Sequence, residues 1–370
     1  MARQLLYLSP VPLDSFAQRP HHFVRWFHGR YGGRVLWLDP YPARLPCWND
    51  LSRIQRRPSG TGLGPMWSRE PWLDRIGVPA LPFEPLAAGR WLNRRLWRAL
   101  TARLERFIDA DTCLVFGKPC ALAIELAERY AGNVRVFDVM DNMPAFSSGC
   151  SRQWLLRAET LLADKSDLVV TSSSALQDRF EEHRHKLLCI RNGLTIPGAA
   201  RPTAQAARMV FGYIGSIAPW FDWSAVERLA RLYPHAVVRL IGPVESKPGQ
   251  LPPNVELRSA IPQHEVYQAL HEFTLGLIPF KVSDLTESVD PVKYYEYRAA
   301  GLPVLTTRFG EMRCRGPRDQ VFFLDELQPE TDWRQLRLQA SDSATVENFI
   351  ARHRWERVFE PLGLALREPG

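Results

Sequence analysis

The sequence predicts an α/β protein built from two doubly wound domains, and three observations carry this. Short apolar, strand-like runs alternate with helix-like runs from end to end. The alternation is interrupted over residues 195–208, where Pro, Gly, Ala, Thr and Arg succeed one another without periodicity. At 370 residues the chain also exceeds the roughly 250–300 that one hydrophobic core usually supports.

Each element follows from its pattern. Residues 5–8 read as a strand, 20–30 as a helix and 34–38 as a strand. Residues 40–90, rich in Pro, Gly, Trp and Arg, read as loops with short strands. A helix over 91–108 carries Leu92, Leu96, Leu100, Leu104 and Ile108 on one stripe. Strands at 113–116 and 134–138 with a helix at 121–130 make one βαβ unit. Helices at 152–164 and 174–183 and strands at 167–171 and 186–190 continue the series. Beyond the linker, strands at 210–214, 237–241, 255–257, 275–279 and 304–307 alternate with helices at 223–232, 262–271 and 291–300. A last amphipathic run, 343–359, is expected to return to the first domain. The expected division is therefore 1–195, 209–342 and 343–370.

Composition, 45% hydrophobic and 24% charged, is that of a globular enzyme rather than a disordered chain. No apolar run approaches the roughly 18–20 residues of a membrane span, and the first apolar stretch is too short for a signal peptide. The six cysteines show neither C-x-x-C pairs nor zinc spacing, so reduced, buried thiols in a cytoplasmic protein are expected. The net charge of +7 is uneven: residues 1–108 hold 17 Arg, no Lys and 7 acids, and the remainder is slightly acidic. A basic front of this kind seeks phosphates, on lipid head groups, on pyrophosphate-linked substrates or on nucleic acid. No recognised nucleic-acid motif accompanies it.

Ligands of open α/β sheets bind beyond the carboxyl ends of strands, so candidate chemistry is sought there. Asp290-Pro-Val-Lys-Tyr-Tyr-Glu places Lys293 and Glu296 three residues apart on one helix face. A cation near a helix N-terminus suits a phosphate, and a carboxylate one turn on can accept from ribose hydroxyls. The same spacing also fits a solvated ion pair. After the strand at 210–214, Gly215 and Ser216 would let backbone N–H groups approach a phosphate, and Trp220, Phe221 and Trp223 would stack on a base. A glycine turn followed by core aromatics is the other reading. Gly242 and Lys281 follow the next strands of this half. In the first half, Asp138 lies in or near a strand. Asp141 sits past its end, placed either to deprotonate a hydroxyl or to cap a turn. The first loop holds Asp14, Arg19, His21 and His22, and adjacent histidines point apart, which argues against a metal pair. Asp109-Ala-Asp111 precedes a strand, the wrong end for a metal site.

Together these residues resemble the GT-B glycosyltransferases of bacterial polysaccharide synthesis. Residues 291–304 resemble the signature Pro-x-Lys-x-x-Glu-Tyr-x-Ala-x-Gly-x-Pro-Val. Gly215-Ser-Ile-Ala-Pro-Trp-Phe-Asp222 is similar to the donor loop of group 1 enzymes, and Gln18-Arg-Pro-His-His22 to a first-loop motif of the teichuronic-acid type. The resemblance implies two Rossmann-like domains facing a cleft, the acceptor domain first, the nucleotide domain second and a C-terminal helix returning to the first. It implies transfer of a sugar from an NDP-sugar, in this reading UDP-linked, to a saccharide hydroxyl, with no metal and no further cofactor. Donor binding then falls to Gly215, Ser216, Trp220, Phe221, Lys281, Lys293 and Glu296. Lys293 resembles the lysine that neutralises the diphosphate in the xanthan glucuronosyltransferase type, and Asp141 that enzyme's catalytic aspartate. Acceptor binding falls to Asp14, Arg19 and His21. Ser288 stands where retaining members carry Glu, with Glu287 one place early, so inversion and retention both stay open. A polyprenyl-diphosphate-linked acceptor at the inner membrane face fits the basic front. So does the helix over 91–107, with Arg94, Arg95, Arg98 and Arg106 off its stripe and Trp91 and Trp97 beside them. A sugar-nucleotide epimerase of the same fold and a basic nucleic-acid or anionic-surface binder are the alternatives.

Overall fold

A computed structural model describes residues 3–46, 70–195, 208–245 and 249–366. The chain divides into two compact units, residues 1–190 with 359–370, and 191–358. The expected linker over 195–208 lies largely outside the described residues.

Among the described residues the first unit holds a parallel seven-stranded sheet. Its strands are β1 (Arg3–Leu8), β2 (Gly32–Leu38), β3 (Leu73–Ile76), β4 (Cys113–Phe116), β5 (Arg135–Val139), β6 (Leu168–Thr171) and β7 (Leu187–Cys189). Their order is β3-β2-β1-β4-β5-β6-β7, so the direction of winding reverses between β1 and β4. At the reversal, all of β4 and the last four residues of β1 are buried, as a sheet covered on two faces requires. The second unit repeats the plan with β8 (Val210–Ile214), β9 (Val237–Ile241), β10 (Val255–Arg258), β11 (Leu275–Ile278), β12 (Val304–Thr306) and β13 (Val321–Phe323). The order there is β10-β9-β8-β11-β12-β13, with the reversal between β8 and β11. The sequence reading did not contain β13 or the helix Trp333–Ala340, because three apolar residues and a short polar helix carry little periodicity.

A buried ion pair ties the first unit together. Arg19 Nε lies 3.0 Å from Asp138 Oδ1 inside β5, and both side chains are almost fully enclosed. The Tyr7 hydroxyl donates to the other Asp138 oxygen at 2.9 Å, and the guanidinium also donates to the Ile190 carbonyl at 2.7 Å. One guanidinium thus joins the helix Arg19–Tyr31, strand β5 and the chain just past β7.

Two expected helices differ. The run over 91–108 is split at Trp97 into Ala87–Leu96 and Arg98–Phe107. Trp97 is buried with its indole donating to Pro79 O at 2.9 Å, and the Asn93 amide bonds both backbone groups of Leu81. These bonds rotate the first helix, so Leu92 and Leu96 face water while Leu100 and Leu104 remain in the core. The run over 343–359 is likewise broken at Arg354, which adopts extended backbone after Ser343–His353. That helix stays in the second unit, where Phe349 packs on Tyr294 and Tyr295 of the helix Val292–Ala299. The first unit regains the chain only from Phe359, which packs between Phe23 and Trp26 while Glu360 pairs with Arg30.

Removing one partner of a buried ion pair leaves the other charge stranded. Asp138→Ala is therefore expected to lower unfolding free energy by about 3–5 kcal/mol, measured by urea denaturation.

Candidate functional site

In the second unit the carboxyl ends of β8 and β9 come into backbone contact. Gly215 follows β8 with φ 144° and Gly242 follows β9 with φ 146°, backbone that side-chain-bearing residues rarely adopt. A Cβ on Gly242 would lie 2.1 Å from the Gly215 carbonyl oxygen, and one on Gly215 would lie 2.6 Å from Lys293 Nζ. Lys293 therefore lies against the bare backbone at the end of β8, with its Nζ 5.4 Å from the Tyr213 ring centre. The Tyr213 hydroxyl donates to Ser216 O at 2.8 Å and holds the turn. The position is the topological switch point of this sheet, where β8 and β11 part.

The helix that delivers Lys293 is Val292–Ala299. It ends at Gly301 with φ 67°, where Gly301 N donates to Arg298 O and Leu302 N to Tyr297 O, the Schellman pair of bonds. Gly276 of β11 leaves room for the Tyr297 ring, and the Tyr297 hydroxyl accepts from Ile214 N at 3.1 Å. Helix and strand ends are thereby locked in register. Lys293 and Glu296 are both half-buried and share one face, yet among the described residues they form no ion pair. Burial pushes the ammonium down and the carboxyl up, each opposed by the charge of the other. That is not a solvated surface pair. Tyr267, on the helix Gln263–His271, is a neighbour that sequence reasoning missed. Burial and then the charge of Glu296 push its hydroxyl up to about 12. No local pattern points to it, since it comes from a different helix.

The other expected donor residues divide. Ser216 is exposed beside Gly215, and Trp220 is half-buried on the rim of the core. Lys281 is exposed, with Nζ donating to Pro219 O at 3.0 Å, so it ties down the loop that carries Trp220. Phe221 is fully buried against Tyr213 and Trp223, and this corrects its assignment as a base-stacking residue. Glu287 pairs with Arg313, while Ser288 is buried.

In the first unit Asp141 follows β5 in a turn held from several sides. Arg179 bonds Asn142 Oδ1 at 2.6 Å and Ser172 Oγ bonds Met140 O at 2.8 Å. The Asp141 carboxylate is half-buried, and no side-chain hydrogen bond occupies it among the described residues. Loss of water pushes it up to about 7, against the pull of Arg19. Arg19 and His21 were expected at the acceptor, but both are buried and serve the fold. Arg19 is held by Asp138. His21 accepts from Gln18 N and reaches Leu13 O at 3.1 Å, so it closes the first loop onto its helix. Asp14 is exposed and faces Arg75 at 3.5 Å. Asp109 accepts from Gln4, Thr112 and the Asp111 amide, closing the turn before β4. Among the described residues no cluster of three or more His, Cys, Asp or Glu gathers to hold a metal. Cys113 and Cys120 are buried, whereas Cys150 and Cys314 are exposed, unlike the uniformly buried thiols expected; Cys47 lies outside the described residues.

No protein-family model matches the chain. It is 25% identical over 208 residues to the putative teichuronic acid biosynthesis glycosyltransferase TuaH of Bacillus subtilis, a match covering 49% of this chain and 52% of TuaH. The chain thus spans about half the length of the curated relative it matches. Among solved structures, Anabaena Alr3699/HepE in complex with UDP-glucose superposes with a TM-score of 0.60 over 99% of both chains at 15% identity. The α,α-trehalose 6-phosphate synthase of Burkholderia multivorans gives 0.58 over 99% of this chain and 98% of its own, at 12% identity. S. aureus TarM, in a complex containing UDP, gives 0.53 over 75% and 59% at 15% identity. These likenesses establish the α/β GT-B fold for this chain.

The environment of Asp141 makes a direct statement about its titration. Carbon-detected NMR is expected to place its carboxyl midpoint near about 7, and a midpoint in the ordinary carboxylate range would show the group to be solvated.

Proposed function

We propose that the protein is a glycosyltransferase of cell-surface polysaccharide synthesis, moving a sugar from a UDP-sugar to a hydroxyl of a saccharide acceptor. One observation carries this reading: Lys293, half-buried and without an ion pair among the described residues, lies on the bare backbone of Gly215 at the sheet's switch point. A desolvated cation beside a glycine turn is complementary to a diphosphate, which would replace the water it has lost. The relative named for teichuronic acid biosynthesis and the HepE and TarM complexes that contain UDP support the same choice of donor.

In this scheme Lys293 and the backbone at Gly215 and Ser216 stabilise the charge that develops on the departing diphosphate. Glu296 accepts from the ribose hydroxyls, and Trp220 offers a face to the base. Charge stabilisation by a lysine and by N–H groups is the role a metal plays elsewhere, so the proposed reaction is metal-independent and uses no further cofactor. Asp141 acts as the base toward the acceptor hydroxyl if the reaction inverts. Its basic form dominates only above about 7, so proton removal weakens as pH falls through that value.

The protein is further proposed to work at the cytoplasmic face of an anionic membrane. No helix among the described residues is long and apolar enough to cross a membrane. The helix Ala87–Leu96 instead presents Trp91 and Leu96 to solvent, 52% and 46% exposed, beside Arg94 and Arg95. Arg95 lies 3.9 Å over the Trp91 ring. An apolar face flanked by guanidinium groups suits the boundary between acyl chains and anionic head groups. Trp97, expected beside Trp91, belongs to the core.

Calorimetry with UDP, GDP, ADP and dTDP tests the donor site. Selective UDP binding, weakened about 10–100-fold by Lys293→Ala, is expected from the loss of a charge-assisted contact. Failure of all four nucleotides to bind would remove the donor assignment, and turnover of donor alone would indicate an epimerase. For the membrane, sedimentation with anionic liposomes should recover the wild type and lose most of Trp91→Glu, while equal recovery with neutral liposomes would defeat the proposal.

A further inference from the structure

The loop that leads into the helix of Lys293 is held from outside by one short segment. Residues 310–315 run against residues 286–290. Gly310 makes the approach possible, since its φ is 42° and a Cβ there would lie 2.3 Å from the Val289 carbonyl oxygen. Glu311 N donates to that same oxygen at 3.1 Å. Side chains then leave the segment at every second residue. Glu311 meets Arg191 at 2.6 Å, Arg313 meets Glu287, and Arg315 Nη2 meets Asp290 Oδ1 at 2.7 Å.

The last of these pairs is enclosed on both sides, with Asp290 3% exposed and the Arg315 side chain 10%. The carboxylate is fully engaged. Its Oδ2 accepts from the Tyr295 hydroxyl at 2.7 Å and from Asn192 N at 2.8 Å, and the Asp290 carbonyl accepts from Asn192 Nδ2 at 2.7 Å. Arg315 also reaches past the carboxylate to the helix itself. Its Nη2 donates to the Tyr295 hydroxyl at 3.0 Å, and its guanidinium lies 3.9 Å from the centre of the Tyr294 ring. Tyr294 and Tyr295 are the two residues that follow Lys293. One guanidinium thus grips the first turn of the helix, by the ring of one residue and the hydroxyl of the next. The far part of the helix is held separately, by Tyr297 on Gly276.

This grip bears on the lysine through position rather than through charge. The charge that acts on Lys293 is that of Glu296, on its own helix. The other groups nearby are phenols: the Tyr213 ring of β8 faces the ammonium, and Tyr297 and Tyr267, the latter on Gln263–His271, feel Glu296. What holds the ammonium low is loss of water against the Gly215 backbone, and that depends on where the helix is placed. We propose that Arg315 is a positioning residue of the site at Gly215: by holding Asp290, Tyr294 and Tyr295 it fixes the pose in which Lys293 lies on the strand end. That the site takes a nucleoside diphosphate rests on the glycosyl-transfer reading above; the placing of the lysine does not. Arg315 touches no ligand in this scheme and acts only through Lys293.

The test reads Lys293 directly in the full chain. The sequence holds six lysines, so a carbon-13 label on the lysine ε-carbons gives few NMR signals, and the one lost in Lys293→Arg belongs to Lys293. In the wild type its titration midpoint is expected below the ordinary lysine range. Arg315→Met alone would strand the Asp290 charge, so it is combined with Asp290→Asn, which leaves the net charge unchanged. In this double variant the ammonium gains water. Its midpoint should rise toward the ordinary range, and UDP should bind about tenfold more weakly, because the lysine must be reordered on binding. Tyr295→Phe, which removes one hydroxyl and no charge, should raise the midpoint by a smaller step. An unchanged midpoint in the folded double variant, or in Tyr295→Phe should the double variant not fold, would show that Arg315 serves stability alone and would overturn the proposal. A raised midpoint with undiminished UDP affinity would overturn the claim that this pose serves the ligand. The two readings separate in the same samples. A raised midpoint in a protein whose wild type binds none of the nucleotides would keep the positioning role and remove the donor site, and UDP binding with an unchanged midpoint would do the reverse.

Discussion

The second unit is arranged around a cation removed from water without an anion to meet it. Lys293 can lie where it does because residue 215 has no Cβ, and Gly215 can take its backbone because Gly242 lets the two strand ends touch. The helix that carries the lysine is stopped at Gly301, seated on Gly276 through Tyr297 and tied to Ile214 by the Tyr297 hydroxyl. Glu296 is held one turn further along, close enough to feel the ammonium and too far to neutralise it by contact. A buried charge left without an ion pair marks a candidate ligand site, and the diphosphate proposed above is the kind of anion complementary to it.

In the first unit, two carboxylates three residues apart meet opposite fates. Asp138 is inside β5, met by Arg19 and Tyr7, and its lone pairs are spent on the fold. Asp141 lies past the strand end, desolvated but without a side-chain partner among the described residues. The same Arg19 that pairs with the first also pulls the second down, though less than loss of water pushes it up. The difference is why Asp141, and not Asp138, is the carboxylate proposed as a base. It arises from where the strand stops rather than from the residue type.

Much of the architecture was legible because it is periodic. Buried parallel strands are mostly apolar, and βα units alternate at a length the eye can count, so eleven of the thirteen described strands stood out. The shared face of Lys293 and Glu296 follows from helical geometry alone. What escaped was whatever depends on a partner far along the chain. The helix break at Trp97 turns on Pro79 O, and the rotation of its neighbour on the backbone of Leu81. Phe221 looked like a stacking residue because an aromatic after a glycine turn reads the same whether it faces a ligand or a core.

The sequence by itself determined two doubly wound units, the order of their strands along the chain and the helix face on which a cation and a carboxylate coincide. These rest on local periodicity and on steric rules that act over a few residues. Tertiary structure alone decided that Arg19 and His21 serve the fold, that Lys293 and Glu296 are desolvated yet unpaired, and that Asp290 meets Arg315 at the start of the helix that carries them. Burial and charge compensation are properties of groups brought together from distant segments. They have no expression in the chain until the sheet orders those segments in space.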